Sequence, residues 1–349
     1  MFFHLIILLV SLMSFLRDLN VFSCDNNCEE KPVFTPSRLV VKYDDPTSAN
    51  CSVCRHTCLN SLFGLEKSVG EITTNGTTIS WTVDRMTEWD TSPICYYNYD
   101  GHQCCSFLNV TLYQLPHNVS ISFVNHSGPM LEGHQYTLQC TVLDVAPVKD
   151  LTVTFYRGHT ALGQRQSNNN KEKKPVTKSF TFNITPSIED DGVQYWCEAK
   201  LELGPEGPRH PPVVMSQNVT VTVYYKPHLK GSWHPDPVIT LEGNPLQLNC
   251  SAVGNPSPLY TWTFPLASTP VSGRTLLTIN SVTTADEGQY TCSVSNDVGS
   301  LKVKFEVVVQ GLEYGTTTTT KTTTTSNSST SSTLHRFIIC FMLLFSALV

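Results

Sequence analysis

Asp286-Glu287-Gly288-Gln289-Tyr290-Thr291-Cys292 decides the fold. Its Tyr stands two residues before its Cys, where a tyrosine hydroxyl can bond back to the backbone at the corner of a two-sheet β-sandwich. Cys250 lies 42 residues upstream of Cys292, and Trp262 follows Cys250 by 12 residues. That spacing suits a disulfide between the two sheets with a buried Trp packed on it.

Working outward, the pattern repeats. Cys140 and Cys197 are 57 apart, and Asp190-Asp191-Gly192-Val193-Gln194-Tyr195-Trp196-Cys197 restates the tyrosine corner with its Gly shifted one place. Phe155 stands where Trp262 stands in the later unit. Cys51 and Cys95 are 44 apart and lack the corner, which makes the first unit the divergent one. The reading is all-β, with three tandem immunoglobulin-like β-sandwiches and a disordered Thr/Ser stalk. The expected divisions are 1–23 signal peptide, 24–114, 115–224 and 225–310 for the three domains, 311–336 stalk, and 337–349 hydrophobic tail.

Both ends predict an exported, anchored protein. The apolar run from Phe2 to Phe15 is too short to span a bilayer, and Val21 and Ser23 suit cleavage after Ser23. Eight Asn-x-Ser/Thr sites within the domains agree with secretion: Asn50, Asn75, Asn109, Asn118, Asn125, Asn183, Asn218 and Asn249. From Thr316 to Leu334 the chain has 11 Thr and 5 Ser among 19 residues, the composition of an O-glycosylated stalk. The apolar tail from Phe337 to Val349 has 13 residues, against the ~20 that a spanning helix needs. Small residues around Asn327, a polar spacer and this tail together fit a glycosylphosphatidylinositol signal with Asn327 as the anchor candidate. A shortened membrane span is the competing reading. The expected location is the extracellular face of the plasma membrane.

The net charge of −6 gives no reason to expect nucleic acid. No Gly-rich phosphate loop, G-x-S-x-G elbow or H-E-x-x-H pair occurs, so the chain is not read as an enzyme, and no cofactor of its own is expected.

The chain has 13 Cys, and removal of the tail with Cys340 leaves an even number. The expected inter-sheet bridges are Cys51–Cys95, Cys140–Cys197 and Cys250–Cys292. Cys24, Cys28, Cys54, Cys58, Cys104 and Cys105 remain, all in the first domain, and their pairing stays open. The cluster Cys51-x-x-Cys54-x-x-x-Cys58 suggests zinc on spacing, but disulfides are the better reading in a secreted chain. Cys54 and Cys58 follow the first Cys strand, while Cys104 and Cys105 follow the second. Both pairs therefore fall at one end of the sandwich, and a second bridge across that tip is expected.

The first domain resembles that of the intercellular adhesion molecules. The likeness rests on Asn50-Cys51-Ser52, Gly64-Leu65-Glu66, Pro93-Ile94-Cys95-Tyr96-Tyr97-Asn98 and Val110-Thr111-Leu112-Tyr113-Gln114-Leu115-Pro116. In the second domain Ala146-Pro147, Leu151-Thr152-Val153, Arg157-Gly158 and Cys197-Glu198-Ala199-Lys200-Leu201-Glu202-Leu203 resemble the same family. The likeness covers roughly residues 33–223, and the third domain is also similar to those of vascular cell adhesion molecules.

That resemblance implies a role for Glu66, flanked by Leu65 and Lys67, in binding a leukocyte integrin on an opposing cell. The family's acidic residue at this position completes the shell of a divalent cation held by the integrin, Mg²⁺ or else Ca²⁺ or Mn²⁺. A hard cation that keeps several waters takes one or two carboxylates, so a single rigid carboxylate is enough. Lys67 departs from the family, which usually has Thr there; a cation beside the carboxylate bears on which partner docks. Asp84, Glu88 and Asp90 are alternative carboxylates. Trp81 and Trp89 read as core residues, with exposed contact as the rival. The other functional readings are metal-independent Ig–Ig adhesion, homophilic contacts included, and an immune receptor for an unknown ligand.

Overall fold

The computed structural model describes residues 24–25, 28, 30–54, 62–99, 102–167, 171–231, 237–266, 268, 270–272 and 274–311. The expected signal peptide, the stalk beyond residue 311, the tail with Asn327, and Cys58 lie outside the described residues.

Three hydrophobic cores succeed one another along the chain, each between two sheets that are antiparallel except where Val238–Leu241 joins Gly299–Gln310 in parallel. In the first domain Val33–Thr35, Thr47–Ser52, Thr78–Val83 and Glu71–Asn75 form one sheet in that spatial order. Phe63–Glu66, Ile94–Tyr99 and His102–Phe107 form the other, and Arg38–Lys42 pairs in parallel with Asn109–Tyr113. In the second domain Asn118–Phe123, Tyr136–Val145 and Val176–Ile184 face Thr160–Gln166, Leu151–Arg157, Gln194–Leu201 and Val213–Met215. In the third, Leu246–Asn249, Leu276–Ile279 and Val271–Ser272 face Val238–Leu241, Gly299–Gln310, Gly288–Asn296 and Leu259–Thr263.

The period-2 alternation of strands explains which residues enter the cores. Along Gln194–Leu201, Tyr195, Cys197, Ala199 and Leu201 are buried while Gln194, Trp196, Glu198 and Lys200 face outward. Cys51–Cys95, Cys140–Cys197 and Cys250–Cys292 bridge the sheets with Cα atoms 6.5, 6.3 and 6.5 Å apart. The residue facing the second Cys across the ladder is Leu65 in the first domain, Phe155 in the second and Trp262 in the third. Leu65 and Phe155 are buried. Trp262 differs from the expectation of full burial: it is half-buried and stacks on Phe305 at 5.8 Å, because its strand is the edge of its sheet.

The tyrosine corners are built in two ways. Tyr290 donates to the Asp286 carbonyl oxygen at 2.8 Å, the backbone bond expected of the motif. Tyr195 instead donates to the Asp190 carboxylate at 2.7 Å. That buried carboxylate also receives the Ser187 amide at 2.7 Å and Arg157 Nε at 2.5 Å. Burial and the bond to Asp190 push the Tyr195 phenol well above its ordinary pKa.

Sandwiches meet through shared elements. Tyr113, at the end of a first-domain strand, is buried in the second core, and Gln114 forms a bridge with Ala146. Strand Val223–Leu229 pairs with Met130–Leu131 of the second domain and then with Ala252–Asn255 of the third. Asn255 donates to Asp191 at 3.2 Å and to the Val223 carbonyl at 3.0 Å, tying the two sides of that junction.

Candidate functional site

Glu66 ends the edge strand Phe63–Glu66. Leu65, opposite Cys95, is 7% exposed and locked in the first core. Alternation therefore turns Glu66 to the outer side, where it is exposed with no hydrogen-bond or ion-pair partner among the described residues. The contact role expected of Leu65 is corrected: its side chain is buried beneath the site and cannot meet a partner.

The chain beyond Glu66 is pinned just as firmly. The Lys67 ammonium donates to the Gly70 carbonyl, so this cation closes the turn that follows the carboxylate. Ser68 Oγ donates to Thr91 Oγ1 at 3.1 Å. Trp81 is fully buried, and its indole N–H donates to the Val69 carbonyl at 2.9 Å. Trp81 is thus a supporting residue. Trp89 is half-buried and stacks on Tyr43 with ring centroids 5.1 Å apart.

Strand register sets the neighbours of Glu66. It pairs with Ile94, which pairs with Phe107, so the three share one face in a row across the sheet. At the 4.7–4.9 Å strand spacing the row spans about 10 Å. Phe107 is 58% exposed. The Tyr96 ring lies over Gly64 on the same face, with its hydroxyl 2.8 Å from where a Cβ would sit. A carboxylate at the margin of an apolar and aromatic row can offer an anionic ligand and a desolvating surround together. Ile94, Tyr96 and Phe107 were missed in the sequence. The alternation around Cys95 turns Ile94 and Tyr96 outward, but Phe107 needs the strand register.

The other carboxylates differ. Asp84 and Glu88 are exposed, whereas Asp90 is engaged by Lys173 of the second domain at 2.6 Å. That hydrogen bond and the charge of Lys173 hold the Asp90 carboxyl below its ordinary pKa. Among the described residues no three His, Cys, Asp or Glu side chains gather as a cation site, so Glu66 could supply one ligand and not a whole shell.

The extra cysteines correct the expected tip bridge. Cys104 and Cys105 bond Cys28 and Cys24, not the Cys54 and Cys58 region. The physical reason is that strand pairing resumes at His102, which places both cysteines inside His102–Phe107 rather than in a loop. The bridges tie the N-terminal segment along that strand. The Asp25 amide donates to the Gln103 carbonyl at 2.9 Å, and Tyr97 donates to the Glu30 carbonyl at 2.6 Å. Cys54 is also disulfide-bonded.

An immunoglobulin domain family matches residues 226–296. Vascular cell adhesion protein 1 of Rattus norvegicus is 28% identical over 247 residues, covering 69% of this chain and 33% of that protein. Intercellular adhesion molecule 1 of Bos taurus is 25% identical over 227 residues, covering 63% of this chain and 39% of that protein. The chain is thus similar to the vascular and intercellular cell adhesion proteins and carries an immunoglobulin-domain match in its third sandwich. It spans about a third of the length of the vascular cell adhesion proteins it matches. Among solved structures, the full ectodomain of mouse nectin-like molecule 4 aligns at a TM-score of 0.49 and 19% identity, over 79% of this chain and 98% of that one.

Proposed function

We propose that this chain is a cell-surface adhesion glycoprotein whose first domain binds a leukocyte-type integrin through Glu66. The observation that carries the reading is the presentation of Glu66: exposed, without a partner among the described residues, between a core-locked Leu65 and a turn held by Trp81. A ligand carboxylate held in this way loses little conformational entropy on docking. It would replace a water on a divalent cation held by the integrin, while Tyr96, Ile94 and Phe107 pack around the contact and exclude solvent. The adhesion names of the relatives agree with this reading.

The rest of the chain serves display. Residues 1–23 direct export, the Thr/Ser stretch raises the domains above the membrane, and the tail is exchanged for a lipid anchor at Asn327. The eight N-glycosylation sites within the domains are all exposed, as acceptors must be. Many copies on each membrane strengthen a weak single contact.

The test is binding of the full-length chain to purified leukocyte integrins in Mg²⁺, with EDTA and a Glu66→Gln variant alongside. Gln keeps the shape and removes the charge. Loss of binding in both arms is expected. Binding that survives both would eliminate the metal-directed carboxylate and favour metal-independent Ig–Ig contact.

A further inference from the structure

The Asn-x-Ser/Thr sites are segregated by sheet. Asn50, Asn75, Asn118, Asn183 and Asn249 lie on strands of one sheet type: Thr47–Ser52, Glu71–Asn75, Asn118–Phe123, Val176–Ile184 and Leu246–Asn249. Asn109 lies on the strand that pairs with Arg38–Lys42, and Asn125 follows Asn118–Phe123. Asn218 lies at the far end of the opposite sheet of the second domain, where its Nδ2 donates to Gln194 Oε1 at 2.8 Å. No site falls on the strands Thr160–Gln166, Leu151–Arg157, Gln194–Leu201 or Val213–Met215 themselves.

The outer face of that sheet has the composition of an interface. Tyr156 and Trp196, paired across two strands, stack with centroids 4.0 Å apart and planes within 4°. Beside them on the adjoining strand, Val213 is 42% and Met215 58% exposed. Aromatic residues and Met are enriched at protein–protein contacts. The central strand carries opposite charges two residues apart on this face. Glu198 makes no hydrogen bond or ion pair among the described residues, though its charge acts on Lys200 and Tyr156 of the same face, and Lys200 pairs with Glu202 at 2.7 Å.

We propose that two copies of this chain associate through this face of the second domain, about a two-fold axis passing close to Ala199. A two-fold contact must be self-complementary, with residue i of one copy meeting residue j of the other and the converse. Charges of opposite sign on either side of Ala199 satisfy that requirement: Glu198 of each copy meets Lys200 of its mate. Met215, paired with Glu198, then lies over Val213 of the mate, which is paired with Lys200, and the Tyr156–Trp196 plate of each copy covers the Lys200–Glu202 end of the other. Gln194 lies five residues from the axis, about 17 Å along the strand, so a glycan on Asn218 stands at the margin of the contact. This association is independent of the Glu66 reading, because the two faces belong to different domains.

Sedimentation equilibrium of the full-length glycosylated chain tests it. The wild type is expected to show a monomer–dimer equilibrium. Glu198→Lys sets like charges against each other, as does Lys200→Glu, and each is expected to weaken dimerisation roughly tenfold or more. An equimolar mixture of the two variants restores complementarity and is expected to form heterodimers. Lys200→Asn combined with Glu202→Thr creates a glycosylation acceptor on the face and is expected to leave monomers only. These positions point outward, so slow exchange retained in Tyr136–Val145 of the opposite sheet verifies that each variant is folded. A wild type that stays monomeric at the highest attainable concentration overturns the proposal. So does a dimer that survives the added glycan, or a mixture of the charge variants that fails to associate.

Discussion

Gly70→Ala tests the idea that the turn after Glu66 is pressed against the sheet behind it. Gly70 has φ of +85°, and a Cβ there would lie 2.3 Å from the Thr82 carbonyl oxygen and 2.6 Å from Val83 Cγ2. Neither neighbour can yield cheaply. Thr82 belongs to Thr78–Val83, an interior strand of its sheet, and Val83 is 3% exposed. The left-handed backbone costs an L-residue about 1–2 kcal/mol, and overpacking adds about 1–3 kcal/mol. The sum is roughly 2–5 kcal/mol. Gly76 provides the control: its φ is +59° and a Cβ there meets nothing within 4 Å, so Gly76→Ala carries the backbone cost alone. A chain of three sandwiches has no single unfolding transition, so hydrogen exchange read strand by strand is the appropriate assay. Gly70→Ala is expected to speed exchange in Thr47–Ser52 and Thr78–Val83 by roughly 30-fold or more, from about 1.4 kcal/mol per tenfold. Gln194–Leu201 and Gly288–Asn296 should be untouched. Equal effects at Gly70 and Gly76 would refute the reasoning, because the close approach to Thr82 would then carry no energy.

Three further outcomes follow from the same geometry. Trp81→Phe keeps an aromatic ring in the first core but removes the donor to the Val69 carbonyl; it should cost about 1–2 kcal/mol and weaken Glu66-dependent binding, and a fully stable variant with unchanged binding would count against the buttress. Asp190→Asn leaves Arg157 without its carboxylate and should cost about 2–4 kcal/mol in the second domain, where Arg157 is partly exposed; Asp286→Asn, at a corner whose Tyr bonds backbone, should cost about 1 kcal/mol, and hydrogen exchange in Gln194–Leu201 and Gly288–Asn296 should reveal that order. The second domain should also be sensitive to alkali. Burial and the bond to Asp190 raise the Tyr195 phenol in the folded state, so its stabilisation is intact below about pH 10, the unfolded value, and declines as pH rises toward the folded one. Urea titrations at increasing pH, read in the transition that Asp190→Asn shifts, should show this decline, and Tyr195→Phe should flatten it.

Much of the architecture was legible because its signals are local. The Tyr-x-Cys corner, the cysteine spacings and the aromatic after the first Cys are all short-range patterns, and each of the three inter-sheet bridges is formed. What escaped was set by the register between strands. Cys104 and Cys105 read as loop residues until the ladder from Tyr99 to His102 placed them inside a strand. Leu65 read as a neighbour of Glu66 in function as well as in sequence, but successive strand residues face opposite sides, so contact and core roles alternate. Phe107 lies 41 positions from Glu66 and reaches its face only through Ile94. No propensity or spacing rule connects residues that meet through a third strand. Asp190 likewise gave no sign that it would take the tyrosine hydroxyl in place of the backbone, because the arginine it also binds comes from a different strand.

One slot in the sandwich connects the two proposed contact faces. In each domain the residue facing the second Cys is held by the inter-sheet core, and the residue after it is turned outward at the same level. That outward residue is Glu66 in the first domain, Tyr156 in the second and Thr263 in the third. Each is paired with the residue just before the second Cys: Ile94, Trp196 and Thr291. Backbone at this level is fixed from behind by a disulfide and from the side by the ladder, so a side chain displayed there is aimed more narrowly than one on a loop. The aim suits different chemistry in different domains. A carboxylate beside Ile94 can direct a single charge at a partner's cation. A tyrosine beside Trp196 forms a flat stacked plate, which fits another flat face. Threonine facing threonine offers neither a charge nor a large apolar surface at this slot. Exchanging the residues at this slot between domains should therefore move the contact and leave the sandwich intact: Glu66→Thr should abolish integrin binding with little change in hydrogen exchange across Ile94–Tyr99. Binding that persists in that variant would assign the contact to the apolar row and not to the slot.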